Sequence, residues 1–259
     1  MNLSLNTMMA AIASALACSA ALGQHGGDVY LEQDYLGRIC TGEIDDETGE
    51  VTHNTRVFGA EFGESPNFTN DPGFDSAIDA FTPGSTIGFT IRRALRAWDG
   101  ADFDTIPAEQ IRVKLGNLGP VLSPTDDTPV TGFALQVGSE GEFHHHLGYT
   151  LTDPAQPGIY LLELELWSGD GSLGTSRPFW IVFNQLDSEE NHEAATEWVR
   201  ANLAGCPSDF DASGFTDTDD FDAFVRAYEA GDFTADVDRT GFVDTDDFDF
   251  FVLAYEAGC

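Results

Sequence analysis

Basic residues are scarce in this chain: 11 Lys and Arg stand against 45 Asp and Glu, a formal net charge of −34 over 259 residues. That scarcity excludes DNA or RNA as a partner, because phosphate binding needs clustered cations. It disfavours an anionic membrane surface for the same reason. Cations, basic proteins and neutral glycans remain. Cysteine is thin as well, at four residues. After the first few dozen residues no run is long and apolar enough for a membrane helix. Common catalytic signatures are missing: there is no Gly-x-Ser-x-Gly, no His-Glu-x-x-His and no phosphate loop. The acidity does not mean disorder, since 42% of the chain is hydrophobic and can supply a core.

What is present begins with "MNLSLNTMMAAIASALACSAALGQHGG". Residues 8–22 form an apolar run too short to span a bilayer comfortably, and Ala21-Leu22-Gly23 is a small-residue cleavage site. Residues 1–23 therefore read as a signal peptide, which predicts a secreted or cell-surface protein starting at Gln24. Export implies an oxidising compartment. Cys40, Cys206 and Cys259 would remain, an odd number that permits one internal bridge. Cys206 and Cys259 bracket the acidic C-terminal repeats and are expected to pair. Cys40 is then expected to be a buried strand thiol.

Residues 24–187 are β-rich. "DVYLEQD", "TRVFGAEFG", "STIGFTIRRALRAW", "QIRVKLG", "TGFALQVG", "EFHHHLGYTL", "GIYLLELELW" and "RPFWIVFN" are apolar or alternating runs separated by Gly, Pro, Asp and Asn. About eight strands at this spacing suggest an antiparallel β-sandwich or jelly roll. In "GIYLLELELW" the alternation predicts that Glu163 and Glu165 face water. "IRRALRAW" also fits a helical turn. The long loop "NFTNDPGFDSAIDAFTPGS" is turn-rich, and is either functional or merely irregular. Residues 188–205 predict a connecting helix, with Ser188 as N-cap, Arg200 near its end, Gly205 as terminator and a face of Ala194, Ala195, Trp198 and Leu203.

The closing segment, 206–259, writes one acidic thirteen-mer twice, 27 residues apart: "DFDASGFTDTDDF" from Asp209 and "DVDRTGFVDTDDF" from Asp236. Aligned on the first Asp, positions 1, 3 and 5 are Asp209, Asp211 and Ser213, then Asp236, Asp238 and Thr240. Position 6 is Gly214 and Gly241, and position 7, Phe215 and Phe242, offers its carbonyl. Positions 9 and 12 are Asp217 and Asp220, then Asp244 and Asp247. This is EF-hand-type ligand spacing, and an all-oxygen set favours Ca²⁺ over Zn²⁺, so two calcium ions are expected. After each loop an apolar stripe follows at i, i+3, i+4, i+7: Phe221, Phe224, Val225 and Tyr228, then Phe248, Phe251, Val252 and Tyr255.

The duplicated loop–helix pattern, with Asp rather than Glu at position 12, resembles the dockerin family of C-terminal calcium modules on exported bacterial proteins. The resemblance implies a small α-helical module that engages a protein partner. Positions 10 and 11, which help dockerins recognise a cohesin, are Thr218-Asp219 and Thr245-Asp246 here.

"EFHHHLGYTL" is the other unusual run. In a strand His144 and His146 share one face and His145 takes the other. The pair His144 and His146, with His25 if its strand is a neighbour, is a candidate Zn²⁺ or Cu²⁺ site; the same residues also serve as ordinary strand histidines. His53 is a further candidate ligand. The order "HGGDV", then "HHHLGYTL", then Pro157-Gly158-Ile159-Tyr160 resembles a bacterial surface-anchored β-domain family. Such families often sit beside metal-uptake systems, which implies metal binding.

Two functional classes follow. One is an exported, non-catalytic surface or extracellular β protein with a calcium-stabilised interaction module. The other is a carbohydrate-active protein, either a glycan-binding module or a glycoside hydrolase. Its candidate carboxylates are Asp102, Asp104, Glu163 and Glu165, and its candidate stacking residues are Trp98, Trp167 and Trp180.

Overall fold

A computed structural model describes residues 27–34, 37–45, 48–205, 207–211, 216–238 and 240–257. The expected signal peptide, His25, Cys206, Cys259, Ser213, Gly214 and Phe215 lie outside the described residues.

Fourteen strands and three helices occur among the described residues, so the chain is mainly β. In chain order the strands are β1 (Val29–Gln33), β2 (Ile39–Ile44), β3 (Val51–Thr52), β4 (Val57–Glu61), β5 (Phe68–Thr69), β6 (Phe74–Asp75) and β7 (Thr86–Ile91). They continue with β8 (Arg96–Ala97), β9 (Ile111–Leu115), β10 (Leu118–Leu122), β11 (Val130–Gln136), β12 (Gly148–Leu151), β13 (Gly158–Ser168) and β14 (Phe179–Gln185). The helices are α1 (Glu189–Asn202), α2 (Thr218–Ala230) and α3 (Thr245–Ala257).

All eight apolar runs hold a strand. "IRRALRAW" ends β7 and supplies β8 rather than a helical turn. The "HHH" run lies just ahead of β12, not inside it.

The largest sheet runs β11-β7-β13-β14-β4, with β8 paired onto β13; a second runs β10-β9-β12-β5, and a third β3-β2-β1-β6. The second is antiparallel throughout. The others are mixed, because β14 pairs with β4, and β1 with β6, in parallel. A purely antiparallel arrangement is therefore not what forms.

The principal core draws from all three sheets, with Leu31 and Phe74 from the third, Val113 and Tyr149 from the second, and Phe58, Phe89, Leu162 and Phe183 from the largest. A second core lies on the opposite face of the largest sheet. There Val57, Ile159, Leu161, Trp180 and Val182 meet Ala195 and Val199 of α1. The two faces of β13 and β14 are thus both covered, which is why β14 is buried at every position. Glu163 is accordingly buried, contrary to its expected exposure, and Glu165 is half-buried.

Ser188 caps α1 as expected, accepting from the Asn191 backbone N–H. The buried face of that helix is His192, Ala195, Thr196 and Val199; Ala194 points outward. His192 Nε2 lies 2.9 Å from the Val182 carbonyl and ties the helix to β14.

Beyond α1, helices α2 and α3 form a separate core around Phe210, Phe224 and Phe251. Phe224 and Phe251, equivalent residues of the two repeats, stack face to face with centroids 4.0 Å apart. Gly231 closes α2 in the left-handed conformation at φ 65°. Among the described residues, several contacts join this unit to the β region. His53 stacks on Phe233 at 5.0 Å, Asn54 Nδ2 donates to the Phe233 carbonyl, and the Arg177 guanidinium lies over Phe210.

Candidate metal centres

Both acidic repeats converge their carboxylates. Asp209, Asp211 and Asp220 each offer an oxygen within 4.8 Å of the others, and so do Asp236, Asp238 and Asp247. These are positions 1, 3 and 12 of each loop. The position-12 carboxylates, Asp220 and Asp247, are fully buried. Each is fixed by the same two backbone donors. Asp220 accepts from Asp211 N at 2.9 Å and Asp217 N at 2.8 Å; Asp247 accepts from Asp238 N at 3.2 Å and Asp244 N at 2.9 Å.

Asp236 accepts from Thr240 N and Gly241 N, which curls the second loop around it. Gly241 adopts φ +86°, the left-handed turn that position 6 requires. Burial, followed by the charges of Asp247 and Asp238, holds the Asp236 carboxyl above the usual range. Burial does the same at Asp247. Such groups favour a proton or a cation as compensation.

Position 9 behaves differently. Asp217 and Asp244 stand outside the three-carboxylate groups and cap α2 and α3, accepting from Asp219 N and Asp246 N. Phe242 at position 7 is exposed.

The histidine run resolves into three environments. His145 pairs with Phe74 through its backbone, and its Nε2 lies 2.9 Å from the Gln136 carbonyl. His144 and His146 stand together, ring centroids 5.3 Å apart, so their shared face survives without the strand. Their partners differ. His144 Nδ1 lies 3.5 Å from Asp75 Oδ1, whereas His146 lies among Asp28 and Asp71. Asp28, Asp71 and His146 form the convergent group, and His144 is not in it. Sequence reasoning missed both carboxylates. The available signals were the Asp of "HGGDV" and the "NDPG" turn of the long loop. His53 belongs elsewhere: its Nδ1 lies 2.7 Å from Glu32 Oε1.

Of the carboxylates weighed for glycan cleavage, Asp104 is exposed and the other three are engaged otherwise. Glu163 lies 3.0 Å from Arg92 Nε and 2.8 Å from Arg93 Nε, and Arg92 also holds Glu165. Asp102 caps its own turn, accepting from Asp104 N. Trp180 and Trp98 belong to the core beneath α1, and the Trp167 ring covers Gly88. Cys40 sits half-buried in β2, and burial pushes its thiol up to about 12, so it stays protonated.

No family model matches the chain, and no curated protein does. Among solved structures it shows a likeness to a family 123 glycoside hydrolase from Clostridium perfringens, described in work on glycolipid glycan hydrolysis. That likeness has 16% identity and a TM-score of 0.23, and it covers 41% of this chain and 19% of that one. The chain thus spans about a fifth of that structure's length, and the likeness assigns no fold.

Proposed function

We propose that this is an exported, non-catalytic surface or extracellular protein whose C-terminal unit binds two calcium ions and serves as a dockerin-like interaction module. The β region carries that module; its layered sheets fit a sandwich-like reading. One observation supports the reading above the rest. Two three-carboxylate groups, 27 residues apart, are built by identical backbone contacts around the buried Asp220 and Asp247.

Hard cations take oxygen ligands, and each loop supplies three carboxylates at once. Without an ion those charges repel one another around a small core, so folding of the unit is coupled to calcium. With the ion bound, α2 and α3 are locked and present a surface of fixed shape, which suits a protein partner.

Limited proteolysis of the mature chain tests this. Calcium is expected to protect residues 206–259, and a chelator to open them to cleavage while the β region resists. Equal cleavage in both conditions contradicts the proposal.

A further inference from the structure

The β region holds a second convergent group, outside the calcium module and of different chemistry. Asp28, just ahead of β1, and Asp71, in the long loop ahead of β6, meet His146 ahead of β12. Parallel pairing of β1 with β6, and the bridge between Phe74 and His145, bring the three segments together.

We propose that Asp28, Asp71 and His146 bind one divalent transition metal of the Zn²⁺ class, with an open coordination position beside the Tyr149 hydroxyl. One ligand atom from each residue lies within 4.8 Å of the other two. His146 Nε2 is 3.6 Å from Asp28 Oδ2, the spacing of two ligands on one ion, while Asp71 Oδ1 stands 3.5 Å from Nδ1 on the other side of the ring and has to swing toward the ion. Ligands about 2.1 Å from a tetrahedral zinc stand about 3.4 Å apart. An imidazole with two carboxylates is a mixed nitrogen–oxygen set, unlike the all-oxygen loops.

The surroundings are built for the group. Asp28 Oδ1 accepts from Gly73 N at 2.6 Å, which turns Oδ2 toward His146. Gly73 has to lack a side chain, because a Cβ there would lie 2.6 Å from the His146 ring. His146 Nδ1 lies 3.3 Å from the Asn70 carbonyl; a proton shared there leaves Nε2 as the ligand.

Tyr149 is the independent observation. Its side chain is fully buried, and its hydroxyl has no hydrogen-bond partner among the described residues. Burial first, and then the charges of Asp28 and Asp71, hold this hydroxyl above the ordinary tyrosine range. Buried hydroxyls are ordinarily satisfied, and an oxygen bound to the metal is the partner this one lacks. Three protein ligands plus an open position is also how zinc sites keep room for water or a substrate. Access exists, since His146 lines a groove of about 620 Å³ together with Glu64, Arg112 and Lys114.

The test uses the full mature chain, stripped with chelator, resupplied with excess calcium and titrated with Zn²⁺ alone. One equivalent is expected above the level left in H146A, which subtracts any uptake by the acidic loops. D28N and D71N are each expected to weaken binding by more than about tenfold. H144A is expected to bind as the parent does. Cobalt recharging gives a second readout: tetrahedral visible absorption in the parent, absent in H146A. Unchanged tryptophan emission and thermal midpoint in D71N guard against mere misfolding. Equal zinc uptake by the parent and H146A overturns the proposal, as does loss in H144A equal to that in H146A.

Discussion

The C-terminal loops and the Asp28–Asp71–His146 group gather carboxylates in opposite ways. Each loop draws its ligands from twelve consecutive residues, and the carboxylate that closes the group, Asp220 or Asp247, is fixed by backbone N–H groups of its own loop. The β-region group draws on positions 28, 71 and 146, and only sheet pairing brings them together. A local code duplicates readily and, under the function proposed above, depends on an ion for shape. A non-local code is held by a core that exists without it. Emptying the two kinds of site should therefore have different consequences.

The largest expected effect is chelation itself. All four tryptophans precede residue 206, so their emission reports the β region and α1 alone. Removing calcium is expected to abolish the circular dichroism of α2 and α3 while leaving tryptophan emission unchanged. A concerted change in both signals would erase the distinction between the regions.

Next comes F224A, which removes one half of the stacked pair at the centre of the small module. A loss of about 4 kcal/mol is expected, read as weakened calcium affinity at both loops. A normal titration would mean the two repeats do not share a core.

G73A acts on the other side of the comparison. The new methyl displaces the His146 ring, at a cost of about 1 kcal/mol in the melting of the β region. Calcium uptake is expected to stay unchanged.

The smallest effect lies at the seam between the regions, where Glu32 contacts His53 and His53 stacks on Phe233. Burial raises the Glu32 carboxyl above its ordinary value, against the opposing pull of His53. A folded value above the unfolded one confers stability below the unfolded value and loses it as pH rises through the folded one. E32Q does not titrate, so its stability relative to the parent is expected to rise as pH climbs from below the ordinary glutamate value through the raised folded one. A difference independent of pH contradicts that sign.

The same comparison explains what could be read in the sequence. The loops, the aromatic stripes and the Ser188 cap are local, and their spacing carried them onto the page before any fold was known. Every apolar run that suggested a strand holds one. Strands β3, β5, β6 and β10 escaped notice, because they are short or lack an apolar alternation, and β2 was anticipated only through Cys40. Glu163 looked solvated because its strand alternates; α1 covers that face, and Arg92 and Arg93 satisfy the charge. Asp28 and Asp71 could not be matched to His146, since no spacing rule spans 43 and 75 residues of intervening sheet topology.

Calorimetric titration of the chelator-stripped mature chain with calcium tests the central claim most directly, run beside D247N. Two ions are expected per parent chain and one per D247N chain. No uptake by the parent, or identical stoichiometry in the two proteins, would contradict the account.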